Sequence, residues 1–252
     1  MAIQRTTSRA ASAIDGVAAA KRDPTEAARA RLRATTQARY HWAAHVALIA
    51  AFAAGGIAVA LAALGPLRGS DLVALALILL WIVLAEYAAH RWSLHRKSFP
   101  RAVYHRHVHE HHVFFTAERM WIDRLDDLRW VLFPPWALPL LVATILPFAA
   151  LLWWLASPRV AWLLVLAVIV YYGLYEVVHA LAHVPTRPTP IGRAIAAVTR
   201  HHRIHHDLAL MKHWNFNFVL PLGDWLFGTT WREDRAAASG RRDPRRGDGR
   251  DR

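Results

Sequence analysis

Histidine is the residue whose placement in this chain asks for an explanation. Residues 105–112 read HRHVHEHH, five histidines in eight positions. Taken alone, such a run would be a tag-like patch or a pH-sensitive surface. It does not stand alone. His90 and His95 close HRWSLH with four residues between them, and three residues separate His107 from the pair His111–His112. His179 and His183 close HALAH, and His202 precedes the pair His205–His206 in HRIHH. On an α-helix, positions i, i+3 and i+4 share a face, so the last two groups each aim their imidazoles one way. The four groups offer ten imidazoles, more than one metal ion can use and enough for two. Neutral imidazole suits iron, zinc, copper and nickel alike, so the donors by themselves leave the metal open.

Two carboxylates fall in the same neighbourhoods. Glu86 precedes His90 by four residues and Glu176 precedes His179 by three, each within a long apolar stretch. An ionisable group in such a stretch is costly and faces the interior with a partner. Accepting the far N–H of a ligating imidazole would fix its tautomer and strengthen it as a ligand; a hydrogen bond to Tyr87, Tyr172 or Tyr175 is the purely structural alternative. His109 competes with His107 for a ligand role, since it pairs with His112 at i+3, or else stands behind the ligands. His105, His201 and His213 are expected behind the ligands or on the surface.

The elements that must position these groups are legible from hydropathy. The 252 residues are 55% hydrophobic yet carry a formal charge of +13. The apolar residues come in blocks, Trp42–Leu64, Leu72–Ala89, Val131–Ala156 and Val160–Val178, each near the ~20 residues that cross a bilayer. None has the polar stripe of a helix in a soluble bundle. Prolines 134, 135, 139 and 147 predict a kinked or broken third span. All Lys and Arg except Arg68 and Arg159 lie before span 1, between spans 2 and 3, or after span 4. Both termini and the metal site are therefore expected to be cytoplasmic. All sixteen histidines fall on that side.

The high charge thus reads as topology, with no nucleic-acid partner expected. The expected organisation is a polar Arg/Ala-rich extension over 1–39, a membrane domain over 40–231 and a disordered basic tail over 232–252 suited to anionic headgroups. The start MAIQRTTSRAASAIDG has no apolar core of signal-peptide type. Spacing of Trp121, Ile122, Leu125 and Leu128 predicts an amphipathic surface helix over 120–130. The expected fold class is an all-α, multi-pass integral membrane protein. Its four transmembrane helices form two hairpins beneath a cytoplasmic histidine-rich helical cap that holds a dinuclear metal site.

With the spans in place, the order HX4H, HX3HH, HX3H, HX2HH resembles the fatty acid hydroxylase/sterol desaturase superfamily of membrane di-iron enzymes. The ending NFNFVLPLGDWLFGTTW, with Asp224, Phe227, Gly228 and Thr229, adds to the likeness, which spans roughly 80–231. One box departs: the superfamily's usual HX2HH would need a histidine where Val108 stands, which leaves His107 and His109 as alternatives. The resemblance implies two irons held by His90, His95, His107, His111, His112, His179, His183, His202, His205 and His206, with zinc able to replace iron on purification. It also implies O2 activation and oxidation of an unactivated C–H bond in a lipid drawn from the bilayer, by hydroxylation or by desaturation as the sister outcome. A separate electron donor is required, because the chain has no cysteine for an iron–sulfur cluster, no dinucleotide fingerprint and too little length for a fused haem domain. A divalent-metal transporter would place polar ligands near the bilayer midplane, and a bis-histidine haem protein would place them within facing spans. Histidines confined to helix ends argue against both.

Overall fold

The computed structural model describes residues 24–35, 40–97, 100–186 and 188–232. The expectations for 1–23 and 233–252 lie outside the described residues. The regular elements described are all helical: α1 Pro24–Thr35, α2 Trp42–Leu64, α3 Asp71–Ala88, α4 Arg101–Tyr104, α5 Ala137–Leu155, α6 Pro158–Ala182, α7 Pro190–His205 and α8 Leu222–Leu226, with several single turns and irregular loops between them. Four are long and apolar enough to cross a membrane: α2, α3 with its continuation to Leu94, α5 and α6. Leu77, Phe148, Leu151 and Val170 on these helices are exposed, as lipid-facing positions are.

Helix α6 is the axis of the bundle. Half of its most apolar stretch is buried, against 11%, 22% and 17% for α2, α3 and α5. It packs on all three of the others, and α5 also touches α2. Helices α5 and α6 pack closely on each other, whereas α2 and α3, joined by a short turn, each pack mainly on α6. Gly56 permits the close approach of α2, since a Cβ there would stand 2.6 Å from Ile169 Cδ1. Among α2, α5 and α6 remains an apolar cavity of about 740 Å³, lined by Phe52, Gly55, Val142, Leu146 and Val165 among others. The third span is not broken: α5 runs through Pro147. Pro139 sits in its first turn, where no intrahelical N–H bond is lost.

Arg159, at the start of α6, ties the two short turns together. It donates to Leu64 O at 2.6 Å, to Pro66 O at 2.8 Å and to both carboxylate oxygens of Asp71 at 2.7 and 2.6 Å. With those ends joined, the opposite ends of α3 and α6 carry the histidines to one place. Ser157 and Thr189 cap α6 and α7 through Val160 N (3.2 Å) and Gly192 N (2.9 Å), each followed by a proline at the first helical position.

One sequence expectation changes beside the histidines. The amphipathic helix over 120–130 does not form; that stretch holds only a 3-10 turn, Leu125–Asp127, and one α-turn, Leu128–Val131. Its acids are drawn onto arginines instead. Arg33 pairs with Asp127 at 2.6 Å and Asp123 at 2.7 Å, and Arg119 pairs with Asp123 at 2.6 Å, while Leu128, Trp130 and Val131 turn inward. Residues 24–35 of the expected extension form α1, which docks on this loop with Arg29 fully buried.

Candidate metal centre

The histidine groups sit on two kinds of helical turn, and the kind explains the spacing. His179–His183 and His202–His205–His206 lie on α6 and α7 or at their ends, at the i+3 and i+4 intervals of an α-helix. HX4H does not suit an α-helix, where i and i+5 diverge by about 140° at ~100° per residue. At the end of α3 the chain widens into a π-helical turn, Ala89–Leu94, and a second one covers His105–His111. A π turn closes on i+5, so His90 meets His95 and His107 meets His112, with ring centroids 5.1 and 4.6 Å apart.

All ten histidines predicted as ligands are buried, none more than 6% exposed. Their nitrogens converge in two groups: His90, His95, His107, His112 and His205 in one, His111, His179, His183 and His202 in the other. Within each group the candidate ligand atoms lie within 4.8 Å of one another. His206 joins the two, its Nε2 2.9 Å from His202 Nε2 and its ring 4.3 Å from that of His112.

Backbone carbonyls set the direction of these rings. The Nδ1–H of His111 donates to Trp130 O at 2.8 Å, that of His183 to Met120 O at 2.7 Å, that of His205 to Trp214 O at 3.0 Å and that of His206 to Phe115 O at 2.6 Å; His90 Nδ1–H donates to Phe216 O. Each such bond leaves Nε2 as a bare lone pair. The bare Nε2 atoms of His90 and His205 both face His95 Nε2, at 3.3 and 2.8 Å, and one proton on His95 satisfies only one of them. The Nδ1 atoms of His95, His112 and His179 have no partner among the described residues. Lone pairs crowded in this way call for a cation between them. Burial lowers the imidazole pKa values, with neighbouring imidazoles lowering several further: His183 falls to about 4, His95 to about 2, and His107, His111, His112, His202, His205 and His206 lie well below their usual range. Neutral rings with nitrogen lone pairs, and no carboxylate in either group, fit a borderline transition metal.

The segment 214–229 is a scaffold for two of those carbonyls. Buried Asp224 accepts from Phe216 N at 2.9 Å, Asn217 N at 2.7 Å and Thr229 Oγ1 at 2.6 Å. Asn217 reaches across to α3, donating to Val83 O at 2.9 Å and accepting from Gly223 N at 2.7 Å. Asn215 takes a positive φ of 58°, which asparagine tolerates better than most residues. Trp214 O and Phe216 O, which orient His205 and His90, flank it. On the other side Arg106 donates to Arg129 O and Leu132 O, bracing the turn that presents Trp130 O to His111.

Glu86, Glu176, His109 and His201 stand outside the two histidine groups. Glu86 accepts from Phe218 N at 2.5 Å and from Tyr171 Oη, and Glu176 accepts from Phe133 N at 3.1 Å. The carboxylates thus hold loops: the His90 N–H that Glu86 was expected to receive goes to Phe216 O instead, and Nδ1 of His179 has no hydrogen-bond partner among the described residues. His109 is exposed, beside Tyr104 and His105. His201 donates to Asn217 O at 3.0 Å. Sequence reasoning missed the groups that orient the rings. Backbone carbonyls carry no residue signal, and only the Asp224–Thr229 motif hinted at their support.

Four apolar helices with a buried, all-histidine double cluster at one end describe an integral membrane metalloprotein. A profile of the fatty acid hydroxylase family matches residues 75–229, which include all ten of these histidines and the Asp224 scaffold. The chain belongs to that family, within the fatty acid hydroxylase/sterol desaturase superfamily, and membership implies a membrane oxidoreductase acting on lipid. Comparisons with curated proteins and with solved structures returned no match.

Proposed function

We propose that this protein is an O2-dependent di-iron hydroxylase that oxidises an unactivated C–H bond of a fatty acyl, sterol or related lipid. The observation that carries the reading is the pair of converging Nε2 sets, five atoms and four, with Nδ1 of His90, His205, His111 and His183 already committed to carbonyls. His90, His95, His107, His112 and His205 would hold one iron. His111, His179, His183 and His202 would hold the other, with His206 beside them. Two irons would supply redox chemistry with O2, which zinc lacks.

The chain's own residues orient and enclose. The carbonyls of Phe115, Met120, Trp130, Trp214 and Phe216 keep the rings of His206, His183, His111, His205 and His90 aimed without further reorganisation. The Phe218 ring, with centroids 4.4 Å from His202 and 5.1 Å from His179, excludes water from one side. A lipid enters laterally with its polar head at the interface, and the cavity among α2, α5 and α6 offers apolar room for a hydrocarbon chain. Electrons come from a separate donor. The termini and the metal centre face the cytoplasm, by the Lys/Arg distribution.

Lipid mass spectrometry of cells expressing wild type or His179→Ala tests the reaction. Lipids gaining one oxygen only with wild type support hydroxylation. Loss of two hydrogens instead would make the protein a desaturase. Bound metal with no lipid change would favour metal transport or storage.

A further inference from the structure

Helix α1 lies outside the matched stretch 75–229, yet it reaches the metal centre through one side chain. Arg29 has no exposed surface and stands over the Phe114 ring at 4.3 Å. One of its terminal nitrogens donates to Phe114 O at 3.1 Å, and the other donates to Trp121 O at 3.0 Å and to Asp123 at 2.9 Å. A single guanidinium therefore clasps both ends of the loop 115–120. That loop carries two of the ring-orienting carbonyls: Phe115 O for His206 and Met120 O for His183. Ile122 N returns to His183 O at 3.0 Å, and the Phe115 ring lies 4.2 Å from the His183 ring. The loop has no regular secondary structure between residues 116 and 120, so its shape depends on what grips it.

We infer that Arg29 is a positioning residue for the metal centre: α1 acts as a strap whose guanidinium sets the carbonyls that hold His183 and His206. The planar fork suits the task, because its donors reach two carbonyls and a carboxylate at once. Lysine has one nitrogen and cannot span them. Burying a guanidinium is tolerable here because Asp123 lies at 2.9 Å and Asp127 at 3.8 Å. Arg33 completes the dock through the same two aspartates, and none of its hydrogen bonds goes to loop 115–120. It is the internal control.

The inference rests on the metal reading above, and the test separates the two. Full-length wild type, Arg29→Met, Arg29→Lys and Arg33→Met are purified in nanodiscs and loaded with cobalt(II). Chelator extraction is timed and the cobalt d–d absorption recorded, since that absorption reports ligand geometry where a general loss of stability does not. Groups that orient metal-bound histidines are worth roughly 10–100-fold in metal affinity. The Arg29→Met variant should lose cobalt from one of its two sites on the order of ten-fold faster, with an altered spectrum. Arg29→Lys should behave alike, whereas Arg33→Met should keep the wild-type spectrum and rate. A wild-type spectrum and rate in Arg29→Met would overturn the strap alone. Equal changes in Arg33→Met would reduce it to a docking effect and overturn it as well. A wild-type chain that takes up no metal would overturn the metal reading and the strap together.

Discussion

At the scale of single residues, the centre is a set of neutral imidazoles, five of which have the far nitrogen held by a backbone carbonyl rather than by an acid. This separates His107 from His109. His107 is buried, with its Nε2 3.0 Å from those of His90 and His95, while His109 faces outward. His107→Ala should lose metal and oxidation, and His109→Ala should keep most of both; iron content and product formation measured side by side decide it. Purified active protein should hold ~2 metal atoms per chain, given the number of imidazoles, and no more than one would sink the dinuclear reading. His206→Ala should also be inactive while still inserting, since the spans are apolar without it, and exposed His41→Ala should stay active. Asp224→Ala strands the N–H groups of Phe216 and Asn217 and the Thr229 hydroxyl, at about 1–3 kcal/mol for each buried donor left unpaired. Metal loss in that variant should begin in the group containing His90 and His205.

At the scale of elements, the site is made by contacts between pieces of chain that are far apart in sequence. Gly223 in α8 lies so close to α3 that a Cβ would stand 2.4 Å from Asn217 Oδ1 and 2.7 Å from Tyr87 Cβ. Gly223→Ala should destabilise by about 1–3 kcal/mol through overpacking, seen as a lower thermal midpoint with metal bound. The dock of α1 should be sensitive to acid. Burial pushes Asp123 up, but Arg33, Arg119 and Arg29 outweigh it and hold its carboxyl at about 2, below the ordinary 3.8. A carboxyl depressed on folding stabilises above its unfolded pKa, and that stability is lost as pH falls toward the folded one. Amide exchange in α1 should therefore stay slow down to about pH 4 and accelerate between there and about pH 2. Persistent protection below that window would mean that the ion pairs do not hold the helix.

At the scale of the whole molecule, the two ends of the bundle have separate jobs. Arg159 joins the turns at one end and the histidines gather at the other, so Arg159→Ala should lower thermal stability without changing metal stoichiometry. A parallel fall in both would show that the ends are coupled through α6. Because the chain has no cysteine, single cysteines report sidedness cleanly. Lys97→Cys should react with an impermeant maleimide only after cytoplasmic access is opened, and Ser70→Cys should react from the opposite side. The reverse pattern would invert the topology.

Hydropathy and side-chain type are local properties, and what depends on them was legible in the sequence: four apolar spans, histidine groups at their ends, and enough imidazole for two ions. Spacing suggested α-helical faces and was right for His179–His183 and His202–His206. For His90–His95 and His107–His112 it did not reveal the π turns, which form where i+5 positions must converge on neighbours from other elements. The sequence showed Glu86 and Glu176 as costly charges without showing their partners, because a backbone N–H at Phe218 or Phe133 carries no residue signature. Nor did it separate Arg29 from the other arginines of a polar extension, since Phe114, Trp121 and Asp123 lie 85 to 94 residues away along the chain. Tertiary structure decided which carbonyl meets which ring, because the carbonyls that aim His90, His111, His183, His205 and His206 come from backbone brought in by folding.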